Sequence, residues 1–125
     1  MSFVMTKPIC VLVVEDEALI LLDMVDQLED AGFEVLPATN ARAALELLTV
    51  HPEIQAVFTD VNMPGDMDGL MLASLVRDRW PPVKIIVTSG LRKVELAELP
   101  FGGRFFGKPY DGGAVIRAIH DMLAA

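Results

Sequence analysis

The stretch Ala56-Val57-Phe58-Thr59-Asp60-Val61-Asn62-Met63-Pro64 restricts the possible folds more than any other part of the chain. An apolar run stops at an acid. Pro64, with no N–H and a fixed φ, then forbids a strand from continuing. Val57 and Phe58 therefore read as a buried strand. Asp60 falls at the carboxyl edge of a sheet, where open α/β folds bind their ligands.

The flanking sequence repeats this unit. Ile9 to Val14 (ICVLVV) is a continuous, β-branched apolar run, as expected of a strand covered on both faces, and it ends in Glu15-Asp16-Glu17. Leu21, Met24, Val25, Leu28 and Ala31 share one helical face, and Gly32 stops the helix. Phe33 to Leu36 is a short second strand. Asn40 caps a helix with Ala41, Ala44, Leu45 and Leu48 inward, closed by His51-Pro52. Ala56 to Thr59 is the third strand. The turn-rich loop Met63 to Gly69 leads to a helix with Leu72, Leu75 and Val76 inward, ended by Trp80-Pro81-Pro82. Val83 to Val87 is the fourth strand and runs into Thr88-Ser89-Gly90. Residues 94–99 allow about two helical turns before Pro100, so the fourth helix is expected to be short or irregular. Arg104 to Gly107 is the fifth strand. Lys108-Pro109 follows, and Asp111 caps a last helix facing inward through Val115, Ala118, Ile119 and Met122.

Strand and helix thus alternate five times, which predicts an α/β fold: a parallel sheet with helices on both faces and right-handed crossovers. A chain of 125 residues suits one domain, 1–125 with a core over about 8–124. No linker or repeat interrupts it, and no room is expected for an output domain. The apolar runs are too short to cross a bilayer, and Met1 to Thr6 lacks the pattern of a signal peptide, so the expected location is cytoplasmic with no membrane partner. The lone Cys10 lies in an apolar run and reads as a buried small hydrophobe. With only His51 and His120 besides, a Cys/His metal cluster is excluded. A net charge of −8 argues against direct binding of nucleic acid, which depends on cationic contacts with phosphate.

The residues after each strand carry the chemistry. Glu15 and Asp16 follow the first, Asp60 the third, Thr88 and Ser89 the fourth, and Lys108 the fifth. In one doubly wound sheet they converge at a single edge. Clustered carboxylates repel by roughly a few kcal/mol per pair at surface-like dielectric, so their pKa values rise or a cation neutralises them. Oxygen ligands suit Mg²⁺ or Mn²⁺. One lysine cannot balance three acids but can hold an incoming anion beside a hydroxyl. The set fits phosphoryl transfer onto a carboxylate. It contains no Ser-His-Asp relay, and no phosphate-binding glycine loop follows any strand.

Taken in order and in phase, Glu15-Asp16, Asp60 with Asn62-Met63-Pro64, Asp68-Gly69, Ser89-Gly90 and Lys108-Pro109 resemble a response-regulator receiver domain over almost the whole chain. The resemblance is to the CheY-like, stand-alone single-domain type. It implies a flavodoxin-like, doubly wound five-stranded parallel sheet in the order 2-1-3-4-5. It implies that Asp60 accepts a phosphoryl group from a histidine kinase or phosphotransfer protein of a two-component system, by a reaction the receiver itself catalyses and slowly reverses by hydrolysis. Mg²⁺, or Mn²⁺ in its place, would sit on Asp16, Asp60 and the main-chain carbonyl of Asn62, with Glu15 acting through water. Lys108 would pair with the phosphoryl group. Ser89 is the expected switch hydroxyl, with Thr88 in reserve. Phe105, three residues before the lysine, stands at the switch-aromatic position and would turn inward as Ser89 moves. The resulting change in surface would be read by a downstream protein, with the receiver a monomer or weak homodimer.

The chain departs from the family pattern in places. The loop carries Gly65-Asp66-Met67 before Asp68-Gly69, one residue more than usual, and Phe105 has no phenol oxygen. Leu91, two past Ser89, is apolar and is expected to slow hydrolysis. The alternative within the fold is a pseudo-receiver that no longer takes phosphate, which the complete set of acids, lysine and hydroxyl argues against. A haloacid-dehalogenase-type phosphohydrolase would need a second Asp where Asn62 stands, and a cap for which the chain is too short.

Overall fold

The computed structural model describes residues 7–90, 99 and 102–124. Among them the order is β1 (Cys10–Val14), α1 (Ala18–Asp30), β2 (Glu34–Ala38), α2 (Ala41–Val50), β3 (Ile54–Asp60), α3 (Gly69–Arg79), β4 (Lys84–Ser89), β5 (Arg104–Gly107) and α4 (Gly112–Ala124). All pairings are parallel, and the sheet order is β2-β1-β3-β4-β5. This is the expected doubly wound, flavodoxin-like sheet. Most of the expected short fourth helix, and Leu91 with it, lies outside the described residues. Of that segment Leu99 is described, buried on the core.

Period-two alternation splits the sheet's side chains between two cores. Leu12, Val57, Ile85 and Val87 meet Ala41, Ala44 and Leu48 of α2 and Leu72, Ala73 and Val76 of α3. Val11, Val13, Phe58 and Ile86 meet Leu21, Met24 and Leu28 of α1 and Val115, Ala118, Ile119 and Met122 of α4. β1, with neighbours on both sides and helices on both faces, is buried along its whole length, which explains why ICVLVV shows no alternation. Each large aliphatic side chain so buried contributes about 1.5–3 kcal/mol.

Several boundaries differ from the sequence reading for identifiable reasons. β2 continues through Pro37 to Ala38; it is an edge strand, so a residue without an N–H is tolerated. Ala31 caps α1 and is exposed, because the chain turns away there into Gly32, at φ +94°. Val25, Leu45 and Leu75 are only half-buried, while Ala73, unremarked in the sequence, is fully buried. Thr88 and Ser89 belong to β4 instead of following it. Asn40 caps α2 as expected, its side chain accepting from the Ala43 N–H at 2.8 Å. Asp111 accepts from the Gly113 N–H at 3.0 Å, at the start of α4. No helix among the described residues is long and apolar enough to cross a membrane.

The carboxyl end of β3 is rigidly tied. The Val61 N–H donates to the Thr88 carbonyl at 2.9 Å, and the Gly69 N–H donates to the Val61 carbonyl at 2.8 Å. A Cβ at Gly69 would collide with the Asp60 carbonyl, so α3 can begin here only on glycine. Asp68 caps that helix, accepting from the Met71 N–H at 2.9 Å.

Candidate functional site

Strand tips deliver the acids. Glu15 leaves β1 with its N–H donating to the Ala38 carbonyl at 3.0 Å. Its Oε2 accepts from the Glu17 N–H at 3.1 Å, which turns the carboxylate back over the sheet edge. Glu15 and Asp60 are buried, 3% and 5% exposed, whereas Asp16 faces solvent. One carboxylate oxygen from each of Glu15, Asp16 and Asp60 lies within 4.8 Å of the others. The sequence expectation that the first and third strands bring their acids together is met.

Lys108 comes from the far side. Its N–H donates to the Ser89 carbonyl at 3.0 Å, carrying the β4–β5 pairing one residue past the strand, and the Lys108–Pro109 peptide is cis. The ammonium donates to Glu15 Oε1 at 2.8 Å and to Asp60 Oδ2 at 3.3 Å. Asp60 Oδ1 is buried with no hydrogen-bond partner among the described residues. A buried carboxylate oxygen left unpaired costs more than a typical hydrogen bond contributes, so it marks a position where a ligand completes the site. With one carboxylate oxygen from each of Glu15, Asp16 and Asp60 gathered there, the arrangement fits a divalent cation of the Mg²⁺ kind.

The two candidate hydroxyls point differently. Alternation puts Ser89 on the face of Val87 and Phe105, and Thr88 on the face of Ile86 and Phe106. Ser89 Oγ accepts from Asn62 Nδ2 at 3.1 Å, whereas Thr88 Oγ1 is buried without a partner among the described residues. A Cβ on Gly90 would come within 3.3 Å of Lys108 Cβ, so a side chain there would press on Lys108. Phe105 is half-buried against the α2/α3 core. Pro64, Gly65, Asp66 and Met67 of the longer loop line a cavity of about 480 Å³ together with Asn40, Ala41, Arg42 and Leu45.

Burial pushes the Glu15 carboxyl up, opposed by the hydrogen bond from Lys108. Burial alone would lower Lys108, but the hydrogen bond to Glu15 and the charges of Asp60 and Glu15 outweigh it and raise the ammonium above its ordinary value. Tyr110 was not singled out from the sequence, where its only signal is that it follows Lys108-Pro109. Its ring meets Phe58 edge-on, with centroids 5.2 Å apart, and its phenol is pushed up to about 12 by burial and then by the negative charge of Glu15. Both Lys108 and Tyr110 therefore hold their protons more tightly when folded. Their contributions are complete below the unfolded-state values near pH 10 and are lost as pH rises through the folded ones. Urea midpoints are expected to fall between about pH 10 and pH 12, with a shallower fall in Tyr110→Phe.

Fold and site together define a class, the doubly wound α/β domains with an acid pocket and a lysine at the carboxyl edge of a parallel sheet. The family model described as response regulator receiver domain matches residues 11–102, and the chain belongs to that family, the receivers of two-component response regulators. It is similar to the response regulator receiver protein CpdR of Brucella abortus, 30% identical over 118 residues that cover 92% of this chain and 97% of that protein. It is 34% identical over 88 residues to a putative NtrX-like response regulator of Rickettsia felis, covering 70% of this chain and only 18% of that longer protein. A response regulator receiver protein from Sinorhizobium medicae superposes with a TM-score of 0.88 at 30% identity, over 95% of this chain and 97% of that one.

Proposed function

We propose that this receiver takes a phosphoryl group from a phosphohistidine onto Asp60 in a Mg²⁺-dependent reaction and signals by changing a protein-binding surface. The observation that carries the reading is the half-satisfied Asp60 carboxylate, Oδ2 on Lys108 and Oδ1 buried with no partner among the described residues, inside a three-acid cluster. An Asp60 oxygen attacks phosphorus, the P–N bond breaks, and the imidazole leaves with the bonding pair. Lys108, already within reach of Asp60, turns its ammonium to the phosphoryl oxygens. Asp16, Asp60 and the Asn62 main-chain carbonyl would hold Mg²⁺, with Glu15 acting through water. When bound, the ion neutralises charge on the acids and on the phosphoryl oxygens.

Thr88, held in reserve from the sequence, is the switch hydroxyl that the geometry favours over Ser89: it pairs in register with Asp60 across β3 and β4, and its buried Oγ1 has no partner among the described residues. Drawn toward the new phosphoryl oxygens, it vacates space into which Phe105 turns, and the outer surfaces of β5 and α4 change with it. The partners are a histidine kinase or phosphotransfer protein upstream and a protein that reads this surface downstream.

Metal binding tests the site directly. At a Mg²⁺ concentration tenfold above its dissociation constant the fold gains about 1.4 kcal/mol, a rise in melting temperature of about 5 °C for a chain of this size. The rise is expected in the wild type and is expected to be lost in Asp16→Asn. Equal rises in both would remove Asp16 from the metal site, and no rise in the wild type would count against the proposal.

A further inference from the structure

Asp60 is held at its main chain and left loose at its carboxylate. Its Oδ2 takes one long bond from Lys108, at 3.3 Å, and its buried Oδ1 has no hydrogen-bond partner among the described residues. The direction of this carboxylate is therefore set chiefly by the main chain that carries it. That main chain is fixed. The Val61 N–H on the Thr88 carbonyl ties the next residue to β4. Gly69, the first residue of α3, packs directly on the Asp60 carbonyl. The Thr59 hydroxyl donates to that same carbonyl, at 3.0 Å.

Packing alone does not ask for a hydroxyl at Thr59. The residue is fully buried, on the face of β3 opposite Asp60. Its neighbours on that face, Val57 and Val61 along the chain and Val14 and Val87 across the sheet, are apolar and buried. Valine has nearly the same shape and is favourable to bury there, whereas a hydroxyl costs free energy unless it is bonded. The bond that Thr59 makes is to the residue carrying the acceptor carboxylate.

We propose that Thr59 is a positioning residue for Asp60: its hydroxyl holds the Asp60 carbonyl and so aims the carboxylate at the cation and at the incoming phosphorus. The inference rests on the receiver chemistry proposed above. Thr59 acts from the far face of the sheet and touches neither the metal nor the phosphoryl group. Without the hydroxyl the Asp60 peptide is freer to rotate, and the carboxylate turns with it. Reaction and coordination both fall off steeply with misplacement, and losing one neutral hydrogen bond shifts such a balance about two- to tenfold.

The test compares variants that lose the hydroxyl with one that keeps it. Thr59→Val removes it at nearly constant volume, and Thr59→Ala removes it with a loss of volume, so either one reads its absence. Thr59→Ser keeps the hydroxyl and loses only the methyl. Urea melts establish conditions in which each protein is folded. Mg²⁺ affinity is then measured by titration calorimetry without a phosphodonor, and phosphorylation by acetyl phosphate at saturating Mg²⁺ is followed by intact mass. Thr59→Val and Thr59→Ala are expected to lose about two- to tenfold in both quantities, and Thr59→Ser to stay within about twofold of the wild type. A hydroxyl that serves only the core lowers the urea midpoint and leaves affinity and rate unchanged in the folded protein. That result overturns the proposal, and so does a loss in Thr59→Ser equal to that in Thr59→Ala. Wild-type protein that gains no phosphoryl mass overturns the receiver chemistry itself, and the role of Thr59 with it.

Discussion

Incubated with acetyl phosphate and Mg²⁺, the wild-type chain is expected to gain one phosphoryl mass, and Asp60→Asn is expected to gain none. The substitution keeps the shape of the side chain but replaces the attacking oxygen by an amide that is far less nucleophilic. The acids around it do not take over. Glu15 has one oxygen on Lys108 and the other on the Glu17 N–H, and Asp16 is exposed to water. Intact-mass spectrometry decides the matter. A full phosphoryl gain in Asp60→Asn would move the acceptor elsewhere and refute the proposed chemistry. Folding is not a concern with this variant, because removing one charge from a cluster of three carboxylates relieves repulsion.

Lys108→Met is expected to slow phosphorylation about 10²- to 10³-fold, the usual consequence of removing one preorganised donor aimed at developing charge. The side chain keeps its length and apolar stem but cannot reach the phosphoryl oxygens with a charge. A second consequence separates this residue from a passive surface lysine. Without the ammonium, Glu15 and Asp60 are two buried carboxylates facing each other unpaired, so stability at neutral pH is expected to drop by about 1–3 kcal/mol. Because burial already raises the Glu15 pKa, part of that loss is expected to return on acidification, as the carboxyl takes up a proton. Stopped-flow phosphorylation and urea melts at two pH values check the two effects separately. An unchanged rate would remove Lys108 from the chemistry even if stability fell.

Much of this was legible before any coordinates. The five-strand alternation, the Asn40 cap and the acids after the first and third strands follow from local rules, because burial on a parallel sheet and the demands of helix ends leave few residue choices. Lys108 was legible for a different reason: proline after it ends the strand and leaves the lysine at the sheet edge. The errors fell where local rules compete with position in the sheet. Pro37 reads as a strand breaker, and it is one except on an edge, which only the strand order reveals. The sequence pattern preferred Ser89 to Thr88, and residue type alone does not convey that the two hydroxyls lie on opposite faces of β4, with Thr88 in register with Asp60.

The sequence by itself determined the set of chemical groups and the strand ends they follow, because an apolar run that stops at an acid, a hydroxyl or a lysine fixes that group at the rim. The tertiary structure decided how those groups share their bonds. It placed Lys108 between Glu15 and Asp60, left Asp60 Oδ1 without a partner among the described residues, and tied Asn62 to Ser89 across 27 residues. Such pairings depend on strand register and crossover geometry, which residues distant in the chain set jointly and no local pattern records.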